Sequence, residues 1–198
     1  KIEWQDRNWL DSRSKTKSHQ GVMAWRPALD YTEFGSLVDT ALAKTEAPLL
    51  VLLDGIQDPH NLGSILRTAD AAGAQGVIIP KHRAVGLTAT VAKVSAGALE
   101  YVPVAQVTNI ARAIEQLKEA GFWVIGADMA GDSLHFDVDL KGPVVLVIGG
   151  EGQGLARLTK EKCDFLVRLP MHGQINSLNA AVAGAILMYE AVRQRALP

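Results

Sequence analysis

The chain has 198 residues, 48% of them hydrophobic, and a net charge of -1, which allows one sizeable core plus an appendage and excludes two ordinary domains. Its single cysteine, Cys163, excludes an internal disulfide framework or a cysteine-built metal site and fits a reducing, cytoplasmic setting. No apolar run approaches the roughly 18 residues of a membrane span, and the charged, Trp-bearing start lacks the apolar stretch of a signal peptide, so a soluble protein is expected.

Taken in order, residues 1–26 come first, with six basic groups (Lys1, Arg7, Arg13, Lys15, Lys17, Arg26) against three acids (Glu3, Asp6, Asp11). They show neither helical nor strand periodicity, and "DSRSKTKSHQG" reads as linker: a solvated stretch, or one that tracks phosphates. Trp4, Trp9 and Trp25 are candidates for stacking on bases or for packing against a further domain. Leu29 to Lys44 reads as a short amphipathic helix closed by Pro48. The expected division is an extension over 1–46, which can be the remnant of an upstream domain, and a main domain over 47–198.

From Ala47 onward, strand and helix patterns alternate. Strands are expected at Leu49–Leu53, Val77–Ile79, Tyr101–Val104, Phe122–Ala127, Val144–Ile148 and Phe165–Leu169. Helices are expected at Asp58–Ala72, Thr88–Ala96, Thr108–Ala120, Leu155–Lys162 and Asn176–Arg195. Strands apolar on both faces, interleaved with helices, predict an α/β fold with a mostly parallel sheet flanked by helices. Ligands on such sheets bind beyond the carboxyl ends of the strands. Glycines gather there: Gly55, Gly126, Gly149, Gly150 and Gly173.

Three of these loops carry polar groups. In "DGIQDPHNLGSILRTADAAG" Asp58 can cap a helix whose buried stripe is Leu62, Ile65, Leu66 and Ala69. Arg67 lies off that stripe, either as a solvated charge or as a ligand contact. Residues six apart point about 120° away from each other, so Asn61 and Arg67 converge on one ligand only if Asn61 sits at the helix start. In "VVLVIGGEGQGL" a buried strand enters Gly149 and Gly150. Gly150, Gly152 and Gly154 miss the G-x-G-x-x-G spacing of a dinucleotide loop, which disfavours a nicotinamide-dependent oxidoreductase. Glu151 would repel a pyrophosphate and suits a cationic partner, or else is a surface residue of a turn. In "LPMHGQINSLNAAVAGAILMYEAV" Asn176 or Ser177 can cap the last helix, with Ile175, Leu178, Val182, Ile186 and Tyr189 as its apolar stripe. Ser177 and Asn179 read equally well as caps or as site residues. The five histidines are scattered without metal-ligand spacing, and Cys163, beside Asp164, reads as structural, so no metal is expected.

Together these loops resemble, in order, the three motifs of SpoU/TrmH-type RNA 2'-O-ribose methyltransferases of the SPOUT superfamily. "NLGSILRTADAAG" is similar to the first, "LVIGGEGQGL" to the second and "LPMHGQINSLNAAVAGAILMYEA" to the third, covering roughly Leu49 to Arg195. The stretch "HQGVMA" is similar to the linker of the branch that methylates a guanosine of bacterial large-subunit ribosomal RNA, proteins that often carry an extra N-terminal RNA-binding domain. The resemblance implies a deep trefoil knot at the C-terminal end and a homodimer whose active sites borrow residues from both subunits. It also implies S-adenosylmethionine as cofactor, and structured RNA, ribosomal or alternatively transfer RNA, as substrate. Matched by position, Gly149, Leu169 and Leu178 are implied cofactor contacts, with Gly126, Ala127, Ile148 and Met171 as neighbours. Asn61, Arg67, Glu151, Ser177 and Asn179 are the implied catalytic set, in which Asn61 and Glu151 orient Arg67. A non-catalytic RNA-binding module would be expected to lack that set, and here all five are present.

Overall fold

Leu49–Asp54 forms the central strand β1, buried over its first five residues. It pairs in parallel with Gly76–Pro80 (β2) on one side and Val144–Gly149 (β6) on the other. Val104–Val107 (β3), Trp123–Ala127 (β4), Ser133–Leu134 (β5) and Phe165–Arg168 (β7) complete a seven-stranded sheet. Its order is β3-β2-β1-β6-β4-β7-β5, and every pairing is parallel. In this computed structural model the described residues are 2–14, 19–24, 30–175 and 177–196.

Parallel pairing requires helices on both faces, and the alternation along β1 shows how the sequence provides for that. Leu49, Val51 and Leu53 join one buried cluster with Leu62, Ile65 and Leu66 of Pro59–Ala71 (α3) and Leu187 and Met188 of Ala180–Ala196 (α7). Leu50 and Leu52 join another with Leu37, Val38 and Ala41 of Phe34–Lys44 (α2) and Ile114 and Leu117 of Ile110–Glu119 (α5). Ala89–Val94 (α4) packs on α3, and Arg157–Lys162 (α6) packs beside α5.

The chain divides into two compact units between Asp30 and Tyr31. Within the second unit α2 lays its apolar face on the sheet. Glu33 caps that helix by accepting from the Gly35 and Ser36 N–H groups; the expected start at Leu29 lies outside the described residues. Within the first unit, Arg7–Arg13 (α1) is a helix where none was expected. Asp6 caps it, accepting from the Trp9 N–H at 2.7 Å, and the Arg13 guanidinium lies over the Trp9 ring. The helix buries no residue, so it left no hydrophobic period to read. Trp4 is exposed, and Trp25 is outside the described residues.

Three further expectations are corrected. β3 begins at Val104 rather than Tyr101, because a 3-10 turn at Ala98–Glu100, entered through Gly97 at φ +95°, leaves Tyr101 exposed before the strand. Gly126 lies inside β4, not beyond it. The apolar stripe named for α7 faces outward, Ile175, Leu178, Val182, Ile186 and Tyr189 being 36–75% exposed, while Ala180, Ala181, Gly184, Leu187, Met188 and Ala191 are buried.

Candidate active site

The loops leaving β4 and β6 and the segment entering α7 meet beyond the carboxyl edge of the sheet. The two loops are tied to neighbouring strands by main-chain bonds. The Gly150 N–H donates to the Asp54 carbonyl at 2.8 Å, and the Asp128 N–H to the Val167 carbonyl at 2.9 Å. The turn after β6 closes on itself, with the Gly154 N–H donating to the Gly150 carbonyl, and is pinned where Asp54 accepts from the Ala156 N–H. Such tightness needs glycine: a Cβ on Gly149 would overlap the Gly154 main chain, and Gly154 itself takes φ +64°. The turn opens no helix at its own end, since α6 starts only at Arg157, so it presents no pyrophosphate-binding helix N-terminus.

Between these loops lies a cleft of about 620 Å³, within the range of small-molecule sites. Ile148, Leu169, Met171 and Leu178 form apolar walls, Gly149 and Gly150 offer bare main chain, and Ala127 and Ala183 leave room. Another cavity, of about 490 Å³, opens between Lys44, Gln75, Lys141 and Arg195 and contains none of the expected site residues.

Asn61, Glu151 and Asn179 form a hydrogen-bond chain at the cleft. Asn179 caps α7, its Oδ1 accepting from the Ala181 and Val182 N–H groups at 2.9 and 3.3 Å. Its Nδ2 donates to Asn61 Oδ1 at 2.9 Å, and Asn61 Nδ2 donates to Glu151 Oε1. The cap is therefore Asn179; Ser177 is exposed on the cleft wall, and Asn176 lies outside the described residues. Asn179 is both a cap and part of the cleft wall, and Asn61, only 7% exposed, sits in the first turn of α3.

Arg67 is exposed and does not line the cleft of its own chain. It lies six residues after Asn61, about 9 Å further along the helix and about 120° around it. Within one chain, then, Asn61 and Glu151 bond each other rather than orienting Arg67. Gly126 is not a lining residue either: its Cβ position faces Leu155, Cys163 and Leu166 beneath the cleft.

Sequence reasoning passed over Asp128 and Lys160, both of which line the cleft and form an ion pair at 2.6 Å. The available signal was an acid one residue past a buried strand in a parallel sheet. Lys160 gave none, since it is a helix lysine 32 positions away in the chain. Cys163 belongs to the support. Burial, with Asp164 adding to it, pushes its thiol up to about 12, and Sγ donates to the Thr159 carbonyl, so it is no nucleophile at ordinary pH. Among the described residues no group of three His, Cys, Asp or Glu side chains could hold a metal ion, and no helix is long and apolar enough to cross a membrane.

Residues 48–189 match the SpoU rRNA methylase family. The chain is 53% identical, over 98% of its length and 78% of the relative's, to a Bacillus subtilis protein named for the TrmH family of tRNA/rRNA methyltransferases. It is 49% identical, with the same coverage, to the 23S rRNA (guanosine-2'-O-)-methyltransferase RlmB of Shewanella oneidensis. Among solved structures it resembles the SpoU methyltransferase AviRb of Streptomyces viridochromogenes in complex with the cofactor AdoMet, at 39% identity and a TM-score of 0.71. That match covers 76% of this chain and 59% of AviRb, so the chain spans about three fifths of that structure.

Proposed function

The chain belongs to the SpoU rRNA methylase family, and on that premise we propose that it transfers a methyl group from S-adenosylmethionine to a ribose 2'-hydroxyl of structured RNA. The substrate we assign first is a guanosine of large-subunit ribosomal RNA, supported by the likeness to the Shewanella enzyme; transfer RNA is the alternative, supported by the Bacillus relative. The fold is that of its family, the parallel α/β sheet with a deep trefoil knot in its C-terminal part.

The observation that carries the reading is the convergence of all three motif segments, Asn61, Glu151 and Asn179, on one hydrogen-bond chain at an apolar cleft. The cleft suits the cofactor. Its apolar walls can cover an adenine, and the bare main chain at Gly149 and Gly150 offers peptide donors and acceptors. Glu151 and Asp128 give it acidic groups, which favour a sulfonium over a phosphate. Gly149, Leu169, Leu178, Ala127, Ile148 and Met171 would hold the cofactor, with Gly126 acting only through the strand beneath.

When bound, S-adenosylmethionine supplies an electrophilic methyl group, and the protein's task is to hold the ribose oxygen in line with it and help that oxygen lose its proton. A guanidinium stays protonated in proteins, so Arg67 is assigned to binding an RNA phosphate and stabilising negative charge on the ribose oxygen, with the proton leaving to phosphate or water. Ser177 and Asn179 shape the substrate side. Because Arg67 is remote from its own cleft, we assign it to the cleft of a second copy in a homodimer formed through the exposed face of α7. A cytoplasmic location follows from a ribosomal substrate. The methyltransferase function is assigned to residues 47–198, supported by a family match that begins at residue 48, with 1–46 as an extension.

The test is transfer of label from S-adenosylmethionine to 23S ribosomal RNA and to transfer RNA, with the product nucleotide mapped by mass spectrometry. Label in an alkali-resistant dinucleotide is expected, as a blocked 2'-hydroxyl prevents cleavage. Label on a base, or none on either RNA, would overturn the proposal.

A further inference from the structure

The cleft carries an ion pair that lies outside the hydrogen-bond chain of Asn61, Glu151 and Asn179. Among its lining residues Asp128 and Glu151 are the acids, and Lys160 is the one basic side chain. Glu151 is engaged by Asn61. Asp128 stands apart from that chain: its Oδ1 accepts from the Ala130 N–H at 2.9 Å, and its Oδ2 meets Lys160 Nζ at 2.6 Å. The carboxylate is 9% exposed and the lysine side chain 35% exposed.

An exposed ion pair contributes little to stability, so surface decoration is the plain alternative. Two features of this pair point elsewhere. First, a lysine on a helix surface ordinarily keeps its rotamer freedom, whereas this one is held over the cleft by a carboxylate already fixed at the end of β4. Second, an ammonium has three donors. Asp128 takes one, leaving others for a ligand.

S-adenosylmethionine carries two positive groups, the sulfonium and the α-ammonium, and one negative group, the α-carboxylate. Its positive groups can face Asp128 and Glu151. Its carboxylate, entering a cleft with two acids, is repelled unless a cation meets it, and Lys160 is the cation there. We propose that Lys160 determines cofactor specificity by binding the α-carboxylate at the amino-acid end of S-adenosylmethionine, with Asp128 as the positioning residue that fixes the ammonium over the cleft. This assignment rests on the family reading of the cleft and adds to it a residue for recognising the ligand's tail.

The test is calorimetric titration of wild type, Lys160→Met and Asp128→Asn with S-adenosylhomocysteine and with 5'-methylthioadenosine, which keeps the nucleoside and thioether but lacks the amino-acid end. Wild type should bind the former at least about tenfold more tightly, the scale of a charge-assisted bond. Lys160→Met should erase most of that difference by weakening only S-adenosylhomocysteine. Asp128→Asn should weaken the same ligand by a smaller factor and leave methylthioadenosine unchanged, which a merely structural lesion would not do. Equal loss for both ligands, no loss for either, or a change confined to the KM for RNA overturns the assignment. A wild-type protein that binds neither ligand overturns the cleft reading itself.

Discussion

Asn179 sets the direction of the hydrogen-bond chain at the cleft. Because its Oδ1 caps α7, only its amide nitrogen is free to meet Asn61, whose own nitrogen must then face Glu151. Each amide orientation follows from the last, and none can flip without breaking a bond. Asn61→Asp is nearly isosteric yet replaces the donor facing Glu151 with an acceptor, setting a carboxylate at a buried position against that of the exposed Glu151. A loss of about 1–3 kcal/mol in stability at neutral pH is expected, the range for a buried polar group left without its partner. Urea denaturation of the variant would measure it, and an unchanged midpoint would show that the chain does not hold. The bond between Asn61 and Glu151 joins residues 90 positions apart, so chain spacing could not show it; their pairing rested on motif order alone.

Helix α7 shows which element-level features the sequence encodes and which depend on packing. Its ends were legible to within a few residues, but its buried side was not. Large apolar side chains mark one face and small residues the other, and a hydrophobic stripe alone favours the large face as core. The small face won because the helix runs close to β6, where Gly184 lies so near Ile148 that a Cβ there would collide with its Cδ1 at 2.6 Å. The far end of the helix is held by polar groups. Glu190, 8% exposed, accepts two bonds from Arg193 and one from Gln194, and Gln194 in turn holds the main chain at Val138 and Leu140. The bond from Arg193, helped by that from Gln194 and opposed by burial, keeps the Glu190 carboxyl below its ordinary 4.5. A lowered folded-state value means that the carboxylate stabilises the fold fully above 4.5 and loses that contribution as pH falls through the lowered value. Glu190→Gln should therefore melt below wild type at neutral pH, and the gap should close on acidification. A gap that stayed constant with pH would assign the loss to packing instead of charge.

At the scale of the whole molecule, two observations motivate the proposed second copy: an apolar face left open along α7, and an arginine of the implied catalytic set that lies away from the cleft of its own chain. Isolated exposed hydrophobes are ordinary, but Val182, Ile186 and Tyr189 share one helical face, and Leu178 precedes it. A symmetric pair would cover that face and bring Arg67 of each copy toward the cleft of the other. Hydrophobic patterning alone could not show this, because burial within one chain and burial between chains draw on the same residue types; the expectation of a pair came from the motif resemblance. Ile186→Asp should shift the protein to monomer in light-scattering measurements and lower methyl transfer with it. A sharper discrimination comes from mixing two inactive variants, Arg67→Ala and Glu151→Ala, under conditions that exchange subunits. If each cleft takes its arginine from the opposite copy, a mixed dimer has one doubly damaged site and one intact site. Random exchange should then restore about a quarter of wild-type activity, as about half the dimers are mixed and each has one working site. If both residues serve within the same chain, every site keeps one lesion and mixing restores nothing, which would return Arg67 to the status of a solvated helix charge.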